Sequence, residues 1–174
     1  MNSGTILALC IMLGIVTAAW YLTRKNKLVS ETHEFDERQN ALRASGFRIG
    51  FFTALILLVV LILLLEMDAL TVITPGFAAF AVLIISIVTF AIFCITHDAF
   101  LGVQENAKNR IFLFSMVVIV EAFLTVRHFL RGEMLENGRL TFSAGSPVLV
   151  CIGFLAILIT LIVKTIRNGK EAEE

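Results

Sequence analysis

Charge is scarce in this chain. Asp, Glu, Lys and Arg make up 16% of its 174 residues, where a soluble globular domain carries about a quarter. That shortage excludes an ordinary water-facing surface. Proline is scarcer still: Pro75 and Pro147 are the two in the chain, and both stand at the edges of apolar stretches. The three cysteines, Cys10, Cys94 and Cys151, lie inside apolar runs. They lack the paired spacing of a disulfide framework or a zinc site and read as small hydrophobes. Catalytic constellations are missing too. There is no H-E-x-x-H, no glycine-rich phosphate loop, and no Ser, Cys or His in a recognisable nucleophile arrangement. An enzyme is the least supported class, no cofactor is expected, and a formal net charge of zero gives no reason to expect nucleic acid.

What the chain has in abundance is apolar residues, 58% of the total. They gather in five runs, and a hydrocarbon core about 30 Å thick needs roughly 17–25 helical residues to cross. The expected fold is all-α, a single polytopic membrane domain with five transmembrane helices at about residues 4–22, 36–66, 77–97, 111–128 and 147–164. The first run carries no charge and is followed by Arg24, Lys25 and Lys27, the reverse of a signal peptide's order. With the N-terminus outside, those three fall on the cytoplasmic side with Arg38, Arg43, Arg48, Lys108, Arg110, Lys164, Arg167 and Lys170. Arg127, Arg131 and Arg139 fall outside. This bias predicts an external N-terminus and a cytoplasmic C-terminus in a bacterial cytoplasmic membrane.

Two small-residue stripes suit close helix approach in lipid. Cys10, Gly14 and Ala18 recur every fourth residue in the first run, and Gly46, Gly50 and Ala54 do so in the second. The second stripe serves either packing within the bundle or a homodimer face. The stretch from Asp36 to Gly46 has no Gly or Pro between and is rich in helix formers, so the second helix is expected to start near Asp36 and run unbroken past Arg48. Pro75-Gly76 reads as a turn before the third run, and Pro147 as the start of the fifth. Glu136-Asn137-Gly138-Arg139, between apolar residues, is a hairpin signal.

Two groups of polar residues stand out. Glu121 lies mid-run, where an acidic side chain costs about 2.5–3.5 kcal/mol on insertion scales. Thr125 and His128 follow at helical spacing and make a polar stripe with it. The stripe is either part of a proton, cation or ligand path opening outward, or an interhelical clasp with Ser86 or Thr89 as partner. The second group is His33, Glu34, Asp36, Glu37 and Arg38 before the second span, with His97, Asp98 and Glu105 after the third. Both segments are expected at the cytoplasmic face and expected to touch. Their spacing matches no established metal site, and nearby arginines offer the acids partners, so salt bridging and helix capping are expected there and metal is not.

The sequences Asp36-Glu37-Arg38-Gln39 and His97-Asp98-Ala99-Phe100-Leu101-Gly102 carry a resemblance. Over residues 33–130 the chain resembles a group of small bacterial membrane proteins, chiefly of Gram-positive bacteria, with a D-E-R-Q box and a later D-A-[YF]-x-G box. Phe100 stands where that group more often has tyrosine. The resemblance implies several helices, no assigned activity, genes often beside small DNA-binding regulators or transporter genes, and two boxes that belong to one site. The reading placed first is a non-enzymatic signalling or accessory protein that docks a membrane or cytoplasmic partner through its cytoplasmic face. A transporter, channel or toxin-immunity protein using Glu121 comes second. The lipid bilayer is the expected surrounding partner, with a second copy of the chain an open alternative.

Overall fold

The computed structural model describes residues 35–102, 105–132, 134–136 and 138–171. The first apolar run, with Cys10, Gly14 and Ala18, lies outside the described residues, as do His33 and Glu34. Within them are four helices: α1 Glu37–Glu66, α2 Pro75–Thr96, α3 Ala107–Leu130 and α4 Phe142–Glu171. Each contains a segment long and apolar enough to cross a membrane.

Local chemistry sets the ends of these helices. Asp36 caps α1, and the helix runs unbroken through Arg48. It stops in a Schellman arrangement. Asp68 takes φ 49°, its N–H donates to the Leu65 carbonyl at 3.2 Å, and the Ala69 N–H reaches back to Leu64 at 3.0 Å. Pro75-Gly76 is not a turn outside α2 but its first two residues; proline at the first helical position loses no hydrogen bond the helix would have made. The fourth expected span also begins early, at Ala107, because Asn106 Oδ1 accepts the Lys108 N–H at 2.9 Å and caps it. The largest departure is in α4, which starts at Phe142, five residues before Pro147, and carries the proline inside. So near a helix start, proline removes little of the ladder, here the bond to the Ser143 carbonyl.

The helices pack as a row, α1 on α2, α2 on α4 and α4 on α3. Glycines set the first two distances. A Cβ on Gly46 would lie 3.0 Å from Phe93 Cδ1, and one on Gly50 would lie 3.2 Å from the Ser86 carbonyl oxygen. Both glycines are therefore used inside the chain, against α2, with Ala54 half-buried farther along. On α4, a Cβ at Gly145 would overlap the Phe77 ring, and one at Gly153 would meet Ile84 at 3.0 Å and Val88 at 3.1 Å.

The tightest core joins α2, α3 and α4 through Ala91, Ile95, Phe114, Ile157, Leu158 and Leu161. Phe114 sits between Phe100, 5.9 Å away in the α2–α3 connection, and Phe154 of α4 at 5.6 Å. This core lies toward the end of the row where α2 and α4 finish. Elsewhere large apolar side chains face outward, Phe112 at 65% and Phe123 at 67% exposure among them, a surface suited to acyl chains rather than water. At the opposite end β1 (Leu135–Glu136) pairs antiparallel with β2 (Arg139–Leu140), and Gly138 supplies the positive φ of 75° between them. The hairpin is not isolated. The Leu140 N–H donates to Val72 at 2.8 Å, and its carbonyl accepts from the Thr74 N–H at 3.0 Å and hydroxyl at 3.2 Å. It thereby ties the α3–α4 connection to the start of α2.

Candidate functional site: a pocket where the two boxes meet

The D-E-R-Q box is first a capping box. Asp36 Oδ1 accepts the Glu37 N–H at 2.7 Å, and Gln39 Oε1 accepts the Asp36 N–H at 3.2 Å. The other end of the same amide reaches across the molecule. Gln39 Nε2 donates to the Asp98 carbonyl at 2.9 Å and the Leu101 carbonyl at 3.3 Å. The two boxes touch through this one side chain.

The H-D-A-F box is first a helix stop. Asp98 takes φ 57°, its N–H donates to Ile95 at 3.3 Å, and the Ala99 N–H donates to Cys94 at 2.8 Å. Ala99 is fully buried. Asp68-Ala69 ends α1 in the same way, so the Asp-Ala pair by itself is a backbone device. What distinguishes Asp98 is its carboxylate. Oδ2 lies 2.8 Å from Lys164 Nζ, and Oδ1 accepts from Asn168 Nδ2 at 3.3 Å. Lys164 also donates to the Thr96 carbonyl at 3.4 Å. Lys164 and Asn168 are one turn apart on α4, so Asp98 latches the end of α4 to the end of α2. Partial burial pushes the Asp98 carboxyl up, but hydrogen bonds from Lys164 and Asn168 and the charges of Lys164 and Arg38 outweigh it and hold it below its ordinary value.

Around this latch is a pocket of about 380 Å³. Its floor is apolar, with Ile95, Phe100 and Leu161, and its rim is polar, with Gln39, Asp98, Lys164, Thr165 and Asn168. Of the residues expected at this face from sequence, Asp98 alone lines the pocket. His97 turns back on its own helix, its ring stacked on Phe93 at 4.2 Å and Nδ1 donating to the Phe93 carbonyl at 2.9 Å. Glu105 closes its loop by pairing with Arg110 and accepting from the Gly102 N–H at 3.4 Å. The Arg110 hydrogen bond, the Gly102 N–H and the Arg110 and Arg43 charges hold its carboxyl below its ordinary value against slight burial. Glu37 and Arg38 are exposed in the first turn of α1, and Arg43 lies 4.0 Å over the Phe35 ring. Among the described residues no three of His, Cys, Asp and Glu gather closely enough to hold a metal ion.

Gln39, Lys164, Thr165 and Asn168 are the site residues that sequence reasoning missed. Gln39 was visible within its box. The spacing of Lys164 and Asn168 marked one helix face but not the acid they meet.

Glu121, Thr125 and His128 share one half-buried face of α3. Ser86 and Thr89 are not their partners. Their hydroxyls bond back to Val82 at 2.7 Å and Ile85 at 2.8 Å, and Ser86 lies on the α1 side of α2, beside Gly50.

Comparison of the chain with protein-family models, with curated proteins and with solved structures finds no match in any of the three.

Proposed function

We propose that the protein is a non-enzymatic multipass protein of a bacterial cytoplasmic membrane. In this reading it has five spans, an external N-terminus and a cytoplasmic C-terminus, and it docks a partner protein through the pocket between its two boxes. The observation that carries the reading is Gln39, which caps α1 and holds two carbonyls of the α2–α3 connection. A helix start and a helix stop thereby become one surface. The pocket's apolar floor and polar rim suit a partner segment that inserts an apolar side chain and hydrogen-bonds around it. Its volume falls at the small end of ligand sites, roughly 300–1,000 Å³, which favours an anchor side chain over a large cofactor. Arg38, Arg43, Arg48, Lys108, Arg110, Lys164 and Arg167 cluster toward this end of the helices, which supports its cytoplasmic placement. The resemblance to the D-E-R-Q and D-A-[YF]-x-G group fits the same assignment.

The test is a photocrosslinking amino acid at Thr165, on the rim, with Phe123 on the exposed apolar face as control. The reading expects one defined protein adduct at Thr165, absent at Phe123 and lost when Gly102→Trp fills the pocket. Lipid adducts alone, or the same proteins captured from both positions, would contradict it.

A further inference from the structure

The second polar group has a register that links it to the proline of α4. Phe114 meets Phe154 at 5.6 Å, and Cys151 Sγ lies 3.8 Å from the Val118 carbonyl oxygen, so α3 and α4 run antiparallel. Continuing that register by one turn sets Glu121 level with Pro147. Thr125 then falls level with Ser143 and Ala144. On a helix turning about 100° per residue, Phe114, Val118, Glu121 and Thr125 fall on one face, the face toward α4. Pro147 is buried and Ala144 is 1% exposed, so this stretch of α4 faces protein.

Three oxygens converge there without the partners such groups normally have. Glu121 makes no hydrogen bond or ion pair among the described residues. Thr125 Oγ1 is buried and meets no hydrogen-bond donor or acceptor among them. That is unusual in this molecule. Ser45, Ser86, Thr89, Thr96, Ser115, Thr160 and Thr165 all bond back to a carbonyl one turn earlier on their own helix. The third oxygen is the Ser143 carbonyl, which receives no N–H from position 147 because proline has none. A carboxylate, a hydroxyl and a carbonyl released from its helix are the oxygen set with which interrupted membrane helices hold sodium ions.

We propose that Glu121, Thr125 and the Ser143 carbonyl form a binding site for a sodium-sized monovalent cation between α3 and α4. Charge argues for one unit rather than two. The site has a single carboxylate, so a monovalent ion leaves no net charge in an apolar surrounding, whereas calcium and magnesium sites draw on more oxygen ligands or retained water. The inference is independent of the docking pocket, which lies at the other end of α4.

The test uses the full chain purified in detergent, with NaCl exchanged for choline chloride at constant ionic strength and pH. Equilibrium dialysis with radioactive sodium reads binding directly, and the thermal midpoint reads linked stabilisation. Stoichiometric sodium binding and a saturable rise in midpoint are expected for the wild type. Glu121→Gln, close in shape, should lose both. Thr125→Val and Pro147→Ala should each raise the required sodium concentration, by about tenfold for a loss near 1.4 kcal/mol. Alanine restores an N–H for the Ser143 carbonyl and is a good helix former, so Pro147→Ala probes the site with little threat to folding. Thr160→Val, whose hydroxyl is bonded within α4, should leave the response unchanged. Equal stabilisation by choline, sodium binding retained in Glu121→Gln, or no radioactive sodium bound to wild type would each overturn the proposal.

Discussion

Gln39 links both boxes with one amide, accepting from Asp36 and donating to Asp98 and Leu101. Gln39→Leu keeps the bulk but frees two carbonyls and the Asp36 N–H. A stability loss of about 1–2 kcal/mol is expected, since a net hydrogen bond is worth roughly 0.5–1.5 kcal/mol. Unfolding in detergent, read by far-ultraviolet circular dichroism, measures it; an unchanged midpoint would show that the bridge carries no weight. Asp98 and Glu105 add a pH dependence. Folding holds both carboxyls below their ordinary values, so their charged forms favour the folded state. That stabilisation is complete above the unfolded values of about 3.9 and 4.3 and fades as acid titrates the groups through their lower folded values. The thermal midpoint should fall below about pH 4, and less steeply in Asp98→Asn, which has no charge to lose. At this scale the capping role of Asp36 is legible in the sequence, because the capping box is local. The Asp98 latch is not, because Asn168 stands 70 residues away and any of several nearby cations offered the acid a partner.

Among the elements, the contact between α1 and α2 depends on what Gly46 and Gly50 leave out. Their missing Cβ atoms admit Phe93, Phe90 and the backbone at Ser86. Gly50→Val would press against the Ser86 carbonyl and the Phe90 Cβ, neither of which is a flexible side-chain end, so a loss of about 1–3 kcal/mol is expected, the usual cost of overpacking. Thermal unfolding in detergent checks this, and Ala54→Val, at a half-buried position farther along, should cost less. The stripe was legible as a packing motif, but its partner was not, since small-residue spacing fits a helix of the same chain as well as one of a second copy. Boundaries followed the same division. The unbroken passage of α1 through Arg48 follows from composition. The start of α4 at Phe142 does not, because Pro147 imitates a first-turn proline and hides the turn before it. Gly145 and Gly153, eight residues apart, fit Phe77, Ile84 and Val88 of α2 without forming a four-residue stripe that would announce them.

At the scale of the molecule, the described helices form a row whose apolar flanks are open. One end is closed by the two boxes and the other by the hairpin on Ile73 and Leu140. Helix number and span length were legible because a bilayer demands them of the sequence, whereas the order of helices in the row depends on which small residues find which ridges. The proposed function rests on the boxed end facing the cytoplasm, and this is open to direct measurement. Cys10, Cys94 and Cys151 are replaced by alanine, and single cysteines are placed by Ser3→Cys and Glu173→Cys. Intact cells are then treated with a membrane-impermeant thiol reagent. The account predicts that the cysteine at position 3 is labelled and that the one at 173 reacts only after the cells are opened. Labelling at 173 but not at 3 in intact cells would turn the pocket outward and contradict it.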